Sequence, residues 1–165
     1  LNPTLFVSRN PTMSLTYTLS SVTLDAALHI AQATLAKGRA AGMLPLAVAV
    51  LDPRGTVKAF LAEEGTSLYR FEIARGKALG ALGMGFGGQE LEKRYGHVPG
   101  FIQAVQGLSE GNLVPVRGGV LIRDAQGQLL GAVGVSGETS ANDEVAAVAG
   151  IESVGLAPDC GGPKP

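Results

Sequence analysis

Residues 117–144, RGGVLIRDAQGQLLGAVGVSGETSANDE, leave few choices of fold. The segment opens on Gly118-Gly119, alternates into a strand through Val120 and Ile122, turns at Asp124-Ala125-Gln126-Gly127 and returns from Leu129 to Val135. Two apolar runs joined by a short Asp/Gly segment predict a β-hairpin. The returning strand breaks at Ser136-Gly137 and restarts as a helix, an arrangement that offers free backbone N–H groups to an acceptor. Gly118, Gly119, Ser136 and Gly137 are therefore candidate ligand-binding positions.

The same D-x-x-G formula occurs earlier, in PLAVAVLDPRGTVKAFLAEE. Asp52-Pro53-Arg54-Gly55 carries type I turn chemistry, so a second hairpin is expected, with Asp52 and Asp124 as turn-formers and not as acids or bases. Helices are predicted around these hairpins. TLDAALHIAQATLAKGRAAG has Thr23 as cap, Leu24, Leu28, Ala31 and Leu35 at helical spacing, and Gly42 as its stop. His29 falls on the opposite face with Asp25 and Gln32. A second helix, SLYRFEIARGKALGALGMG, is capped by Thr66 or Ser67 and has Leu68, Phe71, Ala78 and Leu82 as its core stripe. Gly76, Gly80 and Gly83 form another stripe; each interior Gly costs about 1 kcal/mol relative to Ala, so a neighbouring helix, a subunit or a flat ligand must approach that face. Arg70 and Lys77 share a face of small residues, where Lys77 can pair with a protein carboxylate such as Asp143 or with that of a ligand.

Between the hairpins, FGGQELEKRYGHVPGFIQAVQGLSEGNLVP has glycine breaks around two short helices and suits a covering flap. His97 lies in its second break, and Tyr69 and Tyr95 read as packing groups, with axial or stacking roles as the alternative. Thr139 or Ser140 caps the last helix, with Asn142, Asp143 and Glu144 in its first turn, where the helix dipole favours acids; the alternative is that Asp143 or Glu144 orients Lys77 or a bound group. Past Gly155 the sequence has no periodicity. The expected organisation is a leader or appended sequence over 1–19 with Met13 as a natural start, one domain over 20–157, and a flexible tail over 158–165. The fold class is α+β: a single antiparallel sheet of about five strands, two hairpins among them, flanked by helices in the order α-β-β-α-β-β-α.

Composition narrows the function classes. A formal charge of −1 gives no basic footprint for nucleic acid or anionic membrane. Only 16% of the residues are charged, which leaves apolar surface and favours a homo-oligomer. One cysteine, Cys160, permits no internal disulfide and no paired-cysteine metal site. No apolar run spans a bilayer and no secretory signal opens the chain, so cytoplasm is the expected compartment. HExxH, P-loop and nucleotide-binding GxGxxG units are missing, since GMGFGG follows a helix and not a strand.

GGVLI, the D-x-x-G turn, LLGAVGVSG and Asn142-Asp143, together with Ala74-Arg75-Gly76-Lys77-Ala78 in the second helix, resemble the GlcG/HbpS-like family of haem-binding and propanediol-utilisation-associated domains. The resemblance runs from about residue 20 to 157 and implies a profilin-like fold. It also implies a small-molecule binding protein, with haem as a candidate cofactor, assembled as a homo-oligomer in a catabolic or cofactor pathway of bacterial type. Haem needs an axial donor and a basic group for its propionates; His97, with His29 second, and Lys77 or Arg70 are the candidates. Two other readings stay open. One is a small isomerase or tautomerase acting on an organic acid, with Arg70 and Lys77 holding the carboxylate and Asp143, Glu144, His97 or Lys77 itself moving the proton. The other is a structural oligomer that supports a partner enzyme.

Overall fold

The computed structural model describes residues 15–162; the leader reading, Met13 included, lies outside the described residues as far as position 14. Helix α1 (Leu24–Ala40) starts where the Thr23 hydroxyl accepts the Ala26 N–H at 3.2 Å. The first hairpin follows as β1 (Ala47–Leu51) and β2 (Val57–Ala62), then α2 (Arg70–Met84), the short helices α3 (Gly88–Tyr95) and α4 (Pro99–Leu108), the second hairpin β3 (Gly119–Arg123) and β4 (Leu129–Ser136), α5 (Ser140–Glu152) and β5 (Ala157–Asp159). The five strands form one antiparallel sheet in the order β2-β1-β4-β3-β5.

Both hairpin turns are built alike, as their shared formula requires. Asp52 Oδ1 accepts the N–H groups of Arg54 and Thr56, and Asp124 Oδ1 those of Gln126 and Gln128, while Gly55 and Gly127 supply the left-handed residue. Side chains alternate across the sheet. Val48, Val50, Val120, Ile122, Val133 and Val135 face α1 and α5, forming the larger core with Ile30, Ala31 and Ile151. Leu51, Leu121 and Ala132 face α2 and meet Ala78 and Ala81.

Several expectations need correction. In α1 the buried stripe is Ala27, Ile30, Ala31, Thr34, Leu35 and Gly38, whereas Leu24 and Leu28 are exposed. The face that packs is the one whose small residues admit α5: a Cβ on Gly150 would lie 2.0 Å from the Thr34 hydroxyl and 2.7 Å from the Ile30 carbonyl oxygen. Helix α2 begins at Arg70 with Tyr69 in the capping position and no side-chain cap, and Leu68 is 84% exposed. Past Gly155 the chain is not a plain tail, because β5 pairs with β3 and Asp159 binds Arg123 at 2.7 Å. The partner of the α2 glycine stripe is the chain itself: a Cβ on Gly76 would meet Val114 at 2.7 Å, one on Gly80 would meet the Val114 carbonyl oxygen at 3.1 Å, and the Val114 N–H donates to the Gly76 carbonyl. Gly83 alone of the three opens onto empty space.

Candidate functional site

Helix α2 and the first turn of α5 lie on opposite faces of the sheet and meet past its end, where β4 stops and β3 starts. There the Lys77 ammonium binds Asp143 Oδ2 at 2.7 Å, with side chains 4% and 1% exposed. Gly118 makes room for the pair; at φ +93 it would place a Cβ 3.0 Å from both Lys77 Nζ and Asp143 Cβ. Asp143 Oδ1 accepts the Glu138 N–H at 3.0 Å, and Arg70 donates to the Ser136 hydroxyl at 3.1 Å. Burial pushes the Asp143 carboxyl above the usual carboxylate range, against the opposing pull of the Lys77 ammonium. The sequence-predicted residues Arg70, Lys77, Gly118, Ser136, Gly137 and Asp143 are thus brought together, but as a packed clasp and not around a hollow. Gly119 and Gly137 serve close backbone approach: a Cβ would lie 2.2 Å from the Lys77 carbonyl oxygen in the first case and 2.3 Å from that of Pro45 in the second.

Glu144, expected to help orient Lys77, binds Arg117 instead. The Arg117 guanidinium donates to Oε1 through Nε at 3.1 Å and Nη2 at 2.8 Å, and its backbone N–H points to Glu92 of α3. This fork is charge-assisted and raises the Arg117 pKa, chiefly through the bond to Glu144. Cys160 packs against the larger core, and burial, with Glu144 and Asp159 nearby, pushes its thiol up to about 12. A thiol in that state is expected to resist iodoacetamide at pH 8 in the native protein and to react once urea unfolds it; equal rates in the two conditions would contradict the packing.

Open space lies between α2 and α4, a cleft of about 590 Å³ walled by Leu79, Gly83 and Met84 on one side and Phe101, Val105 and Leu108 on the other. Helix α4 buries none of its residues and, among the helices and strands of the described residues, approaches only α3. His97 is exposed in the α3–α4 connection, four residues before Phe101, and a smaller space of about 330 Å³ adjoins its neighbours Gly96 and Pro99. His29, exposed on α1, lines a groove of about 520 Å³ with Gln32, Ala33, Ala36, Ser153 and Val154. Tyr95 stacks between Phe86 and Phe101, at 6.1 and 4.9 Å between ring centroids, and so carries α4 on α3. Among the described residues no three His, Cys, Asp or Glu side chains gather as metal ligands, and no helix is long and apolar enough to cross a membrane. Spacing placed Gly83 on a stripe open to a helix, a subunit or a flat ligand, but it did not single out Arg117 or Leu79.

A family model described as haem degrading protein HbpS-like matches residues 22–152. The crystal structure of HbpS is 27% identical, with a TM-score of 0.72 over 86% of this chain and 94% of that one. Klebsiella pneumoniae protein ORFY is 24% identical, with a TM-score of 0.74 over 85% of this chain and 94% of its own. A PduOC:heme complex is 22% identical, with a TM-score of 0.73 over 83% and 97%. At these identities the last two establish the shared fold. No curated protein matches the chain.

Proposed function

The chain belongs to the HbpS-like family, and on that premise we propose that it binds haem in the apolar cleft between α2 and α4. The observation that carries this reading is the pairing of an apolar cleft with an amphipathic helix that buries nothing. A volume of about 590 Å³ lies within the roughly 300–1,000 Å³ of small-molecule sites. Leu79, Val105 and Leu108 offer dispersion contacts to a flat apolar ring system, and Phe101 offers a face for stacking. Gly83 fits the group in the same way, since a Cβ there would project into open space and not into the protein. Haem supplies an iron that takes an axial donor, and His97, exposed in the α3–α4 connection four residues before Phe101, is the donor proposed for it. The closed Lys77–Asp143 pair keeps α2 and α5 in place and offers no free cation to the cleft.

Haemin titration followed at the Soret band is the test. Saturable binding that weakens at least tenfold in His97→Ala supports the reading, and scattering without a Soret shift removes it. A second location for the same ligand is favoured by one observation, the presence of His29 in the groove beside α5; loss of the Soret shift in His29→Ala with His97→Ala unaffected would move the haem there. Gly83→Leu is expected to abolish uptake by filling the cleft while leaving the fold as stable or up to about 1 kcal/mol more so, because it removes an interior helix glycine. Retained binding in that variant would exclude the α2–α4 cleft.

The chain is further proposed to assemble with copies of itself, supported by exposed Leu68, Tyr69 and Leu44 at 84%, 67% and 62%. Light scattering after size exclusion should give a mass that is a multiple of 16.8 kDa; a monomer at micromolar concentration would contradict it.

A further inference from the structure

Resting on the cleft reading above, we infer that Arg75 is the anchor for the carboxylate edge of the bound molecule, so that the cleft selects planar apolar ligands bearing an acid at one rim. The cleft is apolar along its length and polar only where Ser109 and Asn112 close it. Arg75 stands at that end. It lies one helical turn before Leu79 and two before Gly83, at i, i+4 and i+8, on the face of α2 that walls the cleft. Its Nη1 donates to Asn112 Oδ1 at 2.9 Å, and Asn112 is itself fixed by donating its Nδ2 hydrogen to the Ser109 carbonyl at 2.9 Å. The guanidinium is therefore oriented before any ligand arrives, and it forms no ion pair among the described residues.

A guanidinium has five donors in a planar fork, and the bond to Asn112 uses one arm. The remaining donors suit a carboxylate, which accepts two parallel N–H bonds from such a fork. Arg70 and Lys77, the cations nearest in sequence on α2, are committed to Ser136 and Asp143 at the clasp. The polarity of the cleft thus sets a direction: ring system toward Phe101 and Gly83, acid toward Arg75.

The test compares haemin with its dimethyl ester, in which both carboxylates are neutralised, by Soret titration of wild type, Arg75→Gln and Arg75→Lys. Arg75→Gln is expected to weaken haemin binding by about tenfold or more, the size of one lost charge-assisted contact, while ester affinity stays within about twofold of wild type. Arg75→Lys should recover part of the haemin affinity, because a point charge replaces a fork. Haemin affinity unchanged in Arg75→Gln, or lowered equally for acid and ester, overturns the assignment of Arg75 and leaves the haem reading standing. Wild-type protein that takes up neither compound overturns the haem reading and this inference together. Circular dichroism of each variant separates loss of contact from loss of fold.

Discussion

Asp143→Asn is expected to lower the stability of the fold by about 3–5 kcal/mol, because it strands the Lys77 ammonium in a site that is 4% exposed. The loss exceeds the net worth of the pair itself. Two charges taken out of water carry a desolvation cost that only their mutual attraction offsets, so removing one leaves the other uncompensated. Lys77→Met should be destabilising for the same reason, with Asp143 as the stranded group. The double variant Lys77→Met/Asp143→Asn is expected to be more stable than Asp143→Asn alone, since neither charge of the pair remains and the Asn oxygen still accepts the Glu138 N–H. Urea unfolding of the four proteins checks this, and a loss below about 1 kcal/mol in Asp143→Asn would show that water reaches the pair.

Acidity provides an independent check with a definite sign. The Asp143 carboxyl is raised above its ordinary value, burial being the main cause, so between the unfolded and folded pKa the native state binds more protons than the unfolded one. Stability then falls as pH rises through that interval and recovers as pH falls through it. In Lys77→Met the opposing ammonium is gone and the interval widens upward. The deficit of this variant relative to wild type should shrink in mildly acidic buffer; a deficit that grows on acidification would contradict the geometry.

Gly134→Ala is expected to cost about 4 kcal/mol or more, or to prevent folding, which places it among the exceptional single substitutions. The added Cβ would lie 1.8 Å from the Ala74 carbonyl oxygen, 2.8 Å from its carbon and 2.9 Å from the Ala78 nitrogen. All three atoms are backbone of α2, so no side-chain rotation relieves the overlap and the helix itself must lift off β4. Ala132, the preceding residue on that face, would lose its contact with Ala78 and Ala81 as well. Gly107→Ala is the control: it lies in α4, meets nothing within 4 Å and should be neutral or slightly stabilising. Thermal unfolding of the two variants should differ by many degrees, and equal midpoints would overturn the packing of α2 on the sheet.

The hairpins were legible because an Asp at the first turn position and a Gly at the last leave a short apolar segment on each side one way to pair. The single sheet and its flanking helices follow from them, and so does the clasp, for Lys77 and Asp143 stand in segments recognisable as a family pattern. Less could be read where small residues do the packing. Hydrophobicity marks Leu24 and Leu28 as part of the core face of α1, yet Gly150 seats on Thr34 and the Ile30 carbonyl, and Gly38 lies against Leu46. A strand of three residues such as β5 is too short to display alternation, so its register depends on the edge of β3 and on Arg123. The reason for Gly76 and Gly80 is a loop more than thirty residues away, a distance that periodicity cannot span. Arg75 escaped notice because its significance comes from Asn112, likewise remote in sequence.

Helix α4 has a consequence for how the molecule breathes. A segment that contributes no buried side chain adds little to the global unfolding energy and can open while the sheet remains intact. Its amides should therefore exchange with deuterium far sooner than those of β1 or β4, and a protease should nick the chain near Gly100 or Gly107 before anywhere in the strands. Whatever settles against Val105 and Leu108 would slow both events, so the exchange rate of one short helix reports occupancy without any chromophore.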